Sequence, residues 1–385
     1  MDKILKGTIK TKDCMKHSHQ SNLRAFYIKE GKVAPPAQEK NNQKVRVLTL
    51  VDLFAGAGGF TQGFVQAGFV PIYAVEIDKD AAATYEANFG AHCFDGDIND
   101  VKIFPYADVI IGGPPCQGFS NLGAHIPNDP RNQLWRHFVR AIKQVRPSAF
   151  VLENVPPMLN SAEGQQFIQD TRDLGYKVEG RILNAANYGA PQTRKRSIIL
   201  GTRGSRVVFP EQTHTSPKNH NNDNHILCKW VTVRQSIGDL PLNPTGYSLH
   251  FGRNPTQKSL ERYKYIPPGG NRWDLPSDLL PECWKRKTKG GTDLFGRLLW
   301  DQPSVTIRTE FFKPEKGRYL HPEANRPITH REAARIQGFP DEFEFKGSKI
   351  EIAKQIGNAV PVKLAFAIAI ATKKMILTDI PEEIR

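Results

Sequence analysis

No apolar run in this 385-residue chain approaches the roughly 20 residues that cross a bilayer. No apolar segment follows the early charges of Met1–Gly7 either, so neither a membrane anchor nor a secretory signal is expected. Cysteine is scarce. Cys14, Cys93, Cys116, Cys228 and Cys283 are odd in number, widely spaced and without a Cys-x-x-Cys pair, which argues for reduced thiols in a cytosol-like compartment rather than a disulfide framework. His214, His220, His225 and Cys228 lack the spacing of a zinc finger, so no metal is expected. Acids are also short, 39 against 53 Lys and Arg, and the net charge of +14 suggests a polyanionic partner such as nucleic acid. Residues 1–46 hold eleven of these bases and four acids, half the net charge, with little apolar periodicity; they read as a basic, mobile arm.

From Val45 onward, strand-like runs alternate with helical ones, the pattern of a parallel sheet covered on both faces. Strands are expected at 47–54, 72–77, 93–94, 109–111, 149–153, 177–183 and 197–200, with helices at about 60–67, 79–89, 133–145 and 164–174. This is a doubly wound α/β architecture. Past about Arg206 the alternation fails and Pro, Gly, Asn and His become frequent, so a second, smaller and irregular domain is expected over 226–350. Leu364, Ile368, Ala371 and Met375 then recur at helical spacing, and 351–385 is expected to return to the first domain, 47–225.

Three places in this layout carry chemistry. Val109-Ile110-Ile111 ends at Gly112-Gly113-Pro114-Pro115, and Cys116 sits at the tip, just past a strand's carboxyl end, where open sheets keep their reactive groups. It is a nucleophile candidate, with a small buried thiol as the alternative. The loop Phe54-Ala55-Gly56-Ala57-Gly58-Gly59 has the place of a dinucleotide turn but not its spelling, because Thr61 stands where the third glycine belongs. Glu76, twenty residues after Gly56, is placed to accept from two ribose hydroxyls, and Asp97 from an adenine amine. That set suits a nucleoside without a pyrophosphate, such as S-adenosylmethionine. Glu153-Asn154-Val155 should emerge at the same sheet edge as Cys116, offering a carboxylate for acid work. In Gln192-Thr193-Arg194-Lys195-Arg196, alternation puts Gln192, Arg194 and Arg196 on one side.

Together with Arg331–Pro340 and Gly357-Asn358-Ala359-Val360-Pro361, these stretches resemble the ordered motifs of the DNA (cytosine-5) methyltransferases, over about Val47 to Leu377. The resemblance implies a Rossmann-like, S-adenosylmethionine-dependent methyltransferase sheet with a target-recognition domain. Cys116 would add to cytosine C6, Glu153 would contact N3 and the exocyclic amine, Arg196 the O2 side, and Arg194 would support the cysteine loop and meet phosphates, while Gln117, also in the catalytic set, would begin a mobile lid over 117–130. No metal is required. Phe54, Ala55, Gly56, Gly58, Gly59, Glu76, Ile77, Asp97, Ile98, Pro115, Asn358 and Val360 would line the cofactor, whose product is S-adenosylhomocysteine. The base must leave the duplex to reach the pocket. Ser120, Arg253, Arg262, Arg272, Lys285, Lys287, Arg297 and Thr306 are candidate DNA contacts.

The implied enzyme is a cytoplasmic monomer that methylates a specific double-stranded DNA sequence, with no membrane partner and a separately acting restriction endonuclease as its counterpart. Two alternatives share the motif set. One is a transfer-RNA cytosine-5 methyltransferase, against which the long basic recognition region counts; the other is an inactive DNA-binding relative, against which the presence of Cys116, Glu153 and Arg196 counts. A nicotinamide oxidoreductase is disfavoured by Thr61.

Overall fold

The computed structural model describes residues 46–115, 133–217, 227–286 and 289–378. Short, β-branched and aliphatic runs make the strands, and the first two each give way to a helix after a turn. In chain order these are β1 (Leu48–Leu53), α1 (Gly59–Gln66), β2 (Phe69–Glu76), α2 (Lys79–Phe89), β3 (Cys93–Asp95), β4 (Val109–Gly112), α3 (Trp135–Val145) and β5 (Ala149–Asn154). They are followed by α4 (Ala162–Asp173), β6 (Lys177–Asn184), β7 (Gln192–Thr193) and β8 (Lys195–Thr202). The seven-stranded sheet runs β3-β2-β1-β4-β5-β8-β6. β8 lies antiparallel to both β5 and β6, and the other pairings are parallel. Strand order reverses between β1 and β4, the crevice where doubly wound sheets hold ligands.

One observation differs from the sequence reading of the sheet. β2 begins at Phe69 rather than after Pro71, because the register slips between Leu50 and Val51, which face Pro71 and Tyr73, so the strand passes its proline through a bulge. Among the described cysteines, Cys93 is half-buried and Cys283 exposed, and both are free thiols.

Both faces of the sheet are sealed. Leu48, Leu50, Val109, Ile111 and Val151 pack toward α1 and toward α10 (introduced below with the remaining elements), while Val51, Leu53, Ile110, Phe150 and Leu152 pack toward α3 and α4. Full burial of each such side chain contributes about 1.5–3 kcal/mol. A Cβ on Gly63 would fall 2.4 Å from Ala365 Cβ, so only glycine lets α1 lie this close to the last helix.

The remaining elements are β9 (His214–Thr215), β10 (Cys228–Lys229), α5 (Val233–Ile237), α6 (Gln257–Lys264), α7 (Glu282–Lys285), β11 (Ser304–Val305), α8 (His330–Gln337), α9 (Lys349–Asn358) and α10 (Val362–Thr378). Regular structure is sparse from 233 to 320. The apolar residues there gather in two clusters, one around Ile307, Phe311, Tyr319 and Ile328 with α5, α8 and α9, the other around Tyr263, Phe295 and Leu320. Among the described residues no helix is long and apolar enough to cross a membrane.

Candidate active site

At the carboxyl end of β1 the chain turns through left-handed backbone at Phe54 (φ 60°), Gly56 (φ 55°) and Gly58 (φ 85°). A Cβ on Gly58 would sit 2.3 Å from the Phe89 ring, so the loop is pressed onto α2. Gly56 N–H donates to Glu76 Oε2 at 2.7 Å and Asp78 N–H to Oε1 at 2.9 Å. Two amides thus aim the Glu76 carboxylate, and each oxygen keeps a lone pair for a further donor. Burial raises its pKa from the usual carboxylate range, and the backbone bonds from Asp78 and Gly56 oppose that rise. Ile77 beside it is 66 % exposed, an apolar surface left at the crevice. Asp97 is half-buried and holds Asn99 through its amide and its Nδ2.

A ribose acceptor, an apolar shelf and a second acid fit an adenosyl group. The far wall comes from the other end of the chain. A Cβ on Gly59 would meet Ala359 Cβ at 2.9 Å and Val360 O at 3.0 Å, so the first loop and the 357–360 segment are in contact. Asn358 and Pro115 are exposed and Val360 is buried. Ala55 is also buried, its amide donating to Val75 O. Ile98 is buried as well, with its side chain in the core and its carbonyl accepting from Arg140.

β4 ends in Gly113-Pro114-Pro115. Asn154 Nδ2 donates to Pro114 O at 3.0 Å and holds this turn against β5. A Cβ on Gly113 would come within 3.0 Å of Glu153 Oε2, so the glycine admits that carboxylate to the edge of the turn. The antiparallel register sets Glu153 opposite Ile198 and Asn154 opposite Ser197, which delivers Arg196 to the same edge. There Arg196 Nε meets Glu153 Oε1 at 2.8 Å, with both side chains largely shielded from water. Cys116, Gln117 and Ser120 lie outside the described residues.

Arg194 is not where a phosphate contact would be. It is 3 % exposed, with Nη1 donating to Ile307 O at 2.8 Å and Nη2 to Gly357 O at 3.1 Å. Burial, then the neighbouring Arg196 charge, drives its pKa well down. Gln192, fully buried, donates through Nε2 to Ile336 O and Gln337 Oε1 and accepts from Ile307 N–H. Gln337 in turn donates to Ile356 O and Ala359 O. β7 pairs with β11, and Thr306 Oγ1 donates to Thr193 O at 3.2 Å, which seats Thr306 beside the Arg194 strand. The motif order showed that these stretches belong together, but not that glutamines join them.

The candidate DNA contacts divide. Arg253 is exposed and paired with Glu315, and Lys285 is exposed and paired with Glu282. Arg262 caps Leu279 O. Arg272 and Arg297 correct the sequence reading, being 1 % and 3 % exposed. Arg297 donates to the carbonyls of Tyr263, Ile266, His321 and Ala324 and to Asn325 Oδ1. Arg272 lies over the Trp273 ring and donates to Gly290 O. Both fasten an irregular segment that has few ladders to hold it. Lys287 lies outside the described residues.

One buried polar group had no sequence signal. Asp52 on β1 is 1 % exposed and accepts from Thr61 Oγ1 at 2.6 Å, and Thr61 also meets the Tyr85 hydroxyl at 3.3 Å.

Residues 48–374 match the model of the C-5 cytosine-specific DNA methylases. The type II methyltransferase M1.HphI of Haemophilus parahaemolyticus is 39 % identical over 348 residues, 85 % of this chain and 87 % of that protein. M.Eco47II of Escherichia coli, also a type II methyltransferase, is 36 % identical over 84 % of this chain and 78 % of its own length. A solved E. coli structure, described as a DNA modification methyltransferase encoded within a prophage, aligns with a TM-score of 0.63 at 25 % identity, covering 86 % of this chain and 99 % of that one. The match runs through the loop after β1, the Glu153–Arg196 edge and the 357–360 segment alike, and the chain belongs to the C-5 cytosine-specific DNA methylases, as an enzyme of the type II restriction-modification kind.

Proposed function

We propose that this enzyme methylates C5 of a cytosine flipped out of a specific duplex sequence, with S-adenosylmethionine as donor and Cys116 as a transient covalent partner. The observation that carries this reading is the Glu153–Arg196 pair, held 2.8 Å apart at the sheet edge beside Gly113–Pro115. Cytosine C5 is a poor nucleophile on its own. The Cys116 thiolate bonds to C6, and the electron pair of the C5–C6 double bond moves onto C5 as an enamine. Glu153 meets N3 and the exocyclic amine and Arg196 the O2 side, offsetting the charge that addition puts on the ring. When bound, the cofactor supplies a sulfonium methyl as the electrophile. C5 takes that methyl, a base removes the C5 proton, the double bond re-forms and the thiolate leaves.

Glu76 would hold the ribose hydroxyls and Asp97 the adenine amine, with Phe54, Ile77 and the 358–360 segment closing around them. Residues 47–225 with 351–385 would do the chemistry and 226–350 would read the duplex, Arg253 and Arg262 being the remaining described arginines among the candidate contacts. The enzyme would act as a monomer in the cytoplasm, protecting DNA from a separate endonuclease of the same specificity. Bisulfite sequencing of DNA from cells expressing the protein should show protected cytosines at one short motif, and none with Cys116→Ser. Protection that persists in the variant overturns the covalent route, and no protection with the wild-type protein overturns the assignment.

A further inference from the structure

The segment at 304–309 and the segment at 356–360 press on one another. A Cβ on Gly357 would lie 2.3 Å from Thr309 N and 2.4 Å from the Arg308 carbonyl carbon, so the two backbones touch where only glycine fits. Three buried side chains bind that contact from behind. Arg194 spans it, with one nitrogen on Ile307 O and the other on Gly357 O. Gln192 takes the Ile307 amide and passes a hydrogen bond to Gln337, whose own amide group serves Ile356 O and Ala359 O. The outer segment is further tied to β7 by strand pairing at Ser304 and Val305. A shift of either segment would therefore leave buried donors or carbonyls of the other unpaired, which is costly in a dry interior.

We propose that Gln192, Arg194 and Gln337 form a joint of positioning residues between the recognition segment and the cofactor segment, through which duplex DNA and cofactor each tighten the binding of the other. The inference rests on the assignment of ligands given under the proposed function. Ordering one segment by its ligand lowers the cost of ordering the segment fastened to it, and linkage requires the effect to be equal in both directions.

Calorimetry on the full chain tests it. S-adenosylhomocysteine is titrated with and without a short duplex bearing the site defined by bisulfite sequencing, and the duplex is titrated with and without S-adenosylhomocysteine. The expected mutual tightening is roughly ten-fold, the same both ways. Gln337→Met, similar in length but without the amide donors, should bring the factor within about two-fold of unity while each ligand alone binds within about three-fold of wild type. Gly357→Ala drives a wedge into the same contact and should also lose the tightening; if Gln337→Met does not fold, Gln192→Met takes its place. Undiminished tightening in these variants, or none in the wild type, overturns the joint. Failure of S-adenosylhomocysteine to bind the wild-type protein at all would instead overturn the cofactor assignment.

Discussion

Asp52→Asn tests whether the acid under the first loop is held neutral. Asp52 accepts from Thr61 on α1 and faces the Glu76 carboxylate on β2, Tyr85 on α2 and Cys93 on β3, and among the described residues no Lys or Arg pairs with it. Burial pushes its carboxyl up to about 8, with the Thr61 hydrogen bond pulling the other way and the Glu76 charge adding to the rise. The folded protein therefore keeps a proton that the unfolded chain sheds above about pH 4. Between about pH 4 and 8 the native state binds more protons than the unfolded one, so stability falls as pH rises, by up to about 1.4 kcal/mol per pH unit from this group. Asparagine can still accept from Thr61, and its extra donor costs about 1–3 kcal/mol at every pH. Urea unfolding of both proteins from pH 4.5 to 8 is the assay. The variant should be the less stable at the acid end and gain on the wild type with each unit of pH, overtaking it between about pH 5 and 6. A stability difference that stays constant over this range would mean that Asp52 ionises normally in the fold, and the reasoning fails.

Cys116→Ser should abolish methyl transfer while duplex binding, read by gel shift, survives; a duplex with 5-fluorocytosine at the target should trap wild-type protein covalently and the variant not at all. Arg297→Ala removes a cation that serves four carbonyls and should cost about 2–4 kcal/mol in urea unfolding. Arg253→Ala should leave stability within about 0.5 kcal/mol and instead weaken duplex binding, lowering the salt slope by about one; a stable Arg297→Ala protein with relaxed specificity would reverse these two roles. Exchange of residues 226–350 for the counterpart of a relative with another target should move the methylated site and leave the reaction intact, as bisulfite sequencing would show.

The sheet was legible because its signal is local. Val109–Ile111 and Ala149–Leu152 are runs with no polar residue, and burial on both faces is the only setting that suits them. The β1 loop and Glu76 could be paired from their distance along one βαβ unit, and the structure joins them by the Gly56 amide. The same logic failed for arginine. Arg194, Arg272 and Arg297 have the same chemistry as an arginine that grips phosphate, and their guanidiniums are instead spent on carbonyls inside the protein. Asp52 was equally silent, since an acid inside an apolar strand does not reveal whether a cation or a hydroxyl will meet it. Local pattern therefore determined the strands, their order of chemistry and the family. Only the tertiary structure decided which charged groups face water, because burial and partners come from segments far apart in the chain, such as 192, 307, 337 and 357, that meet once it has folded.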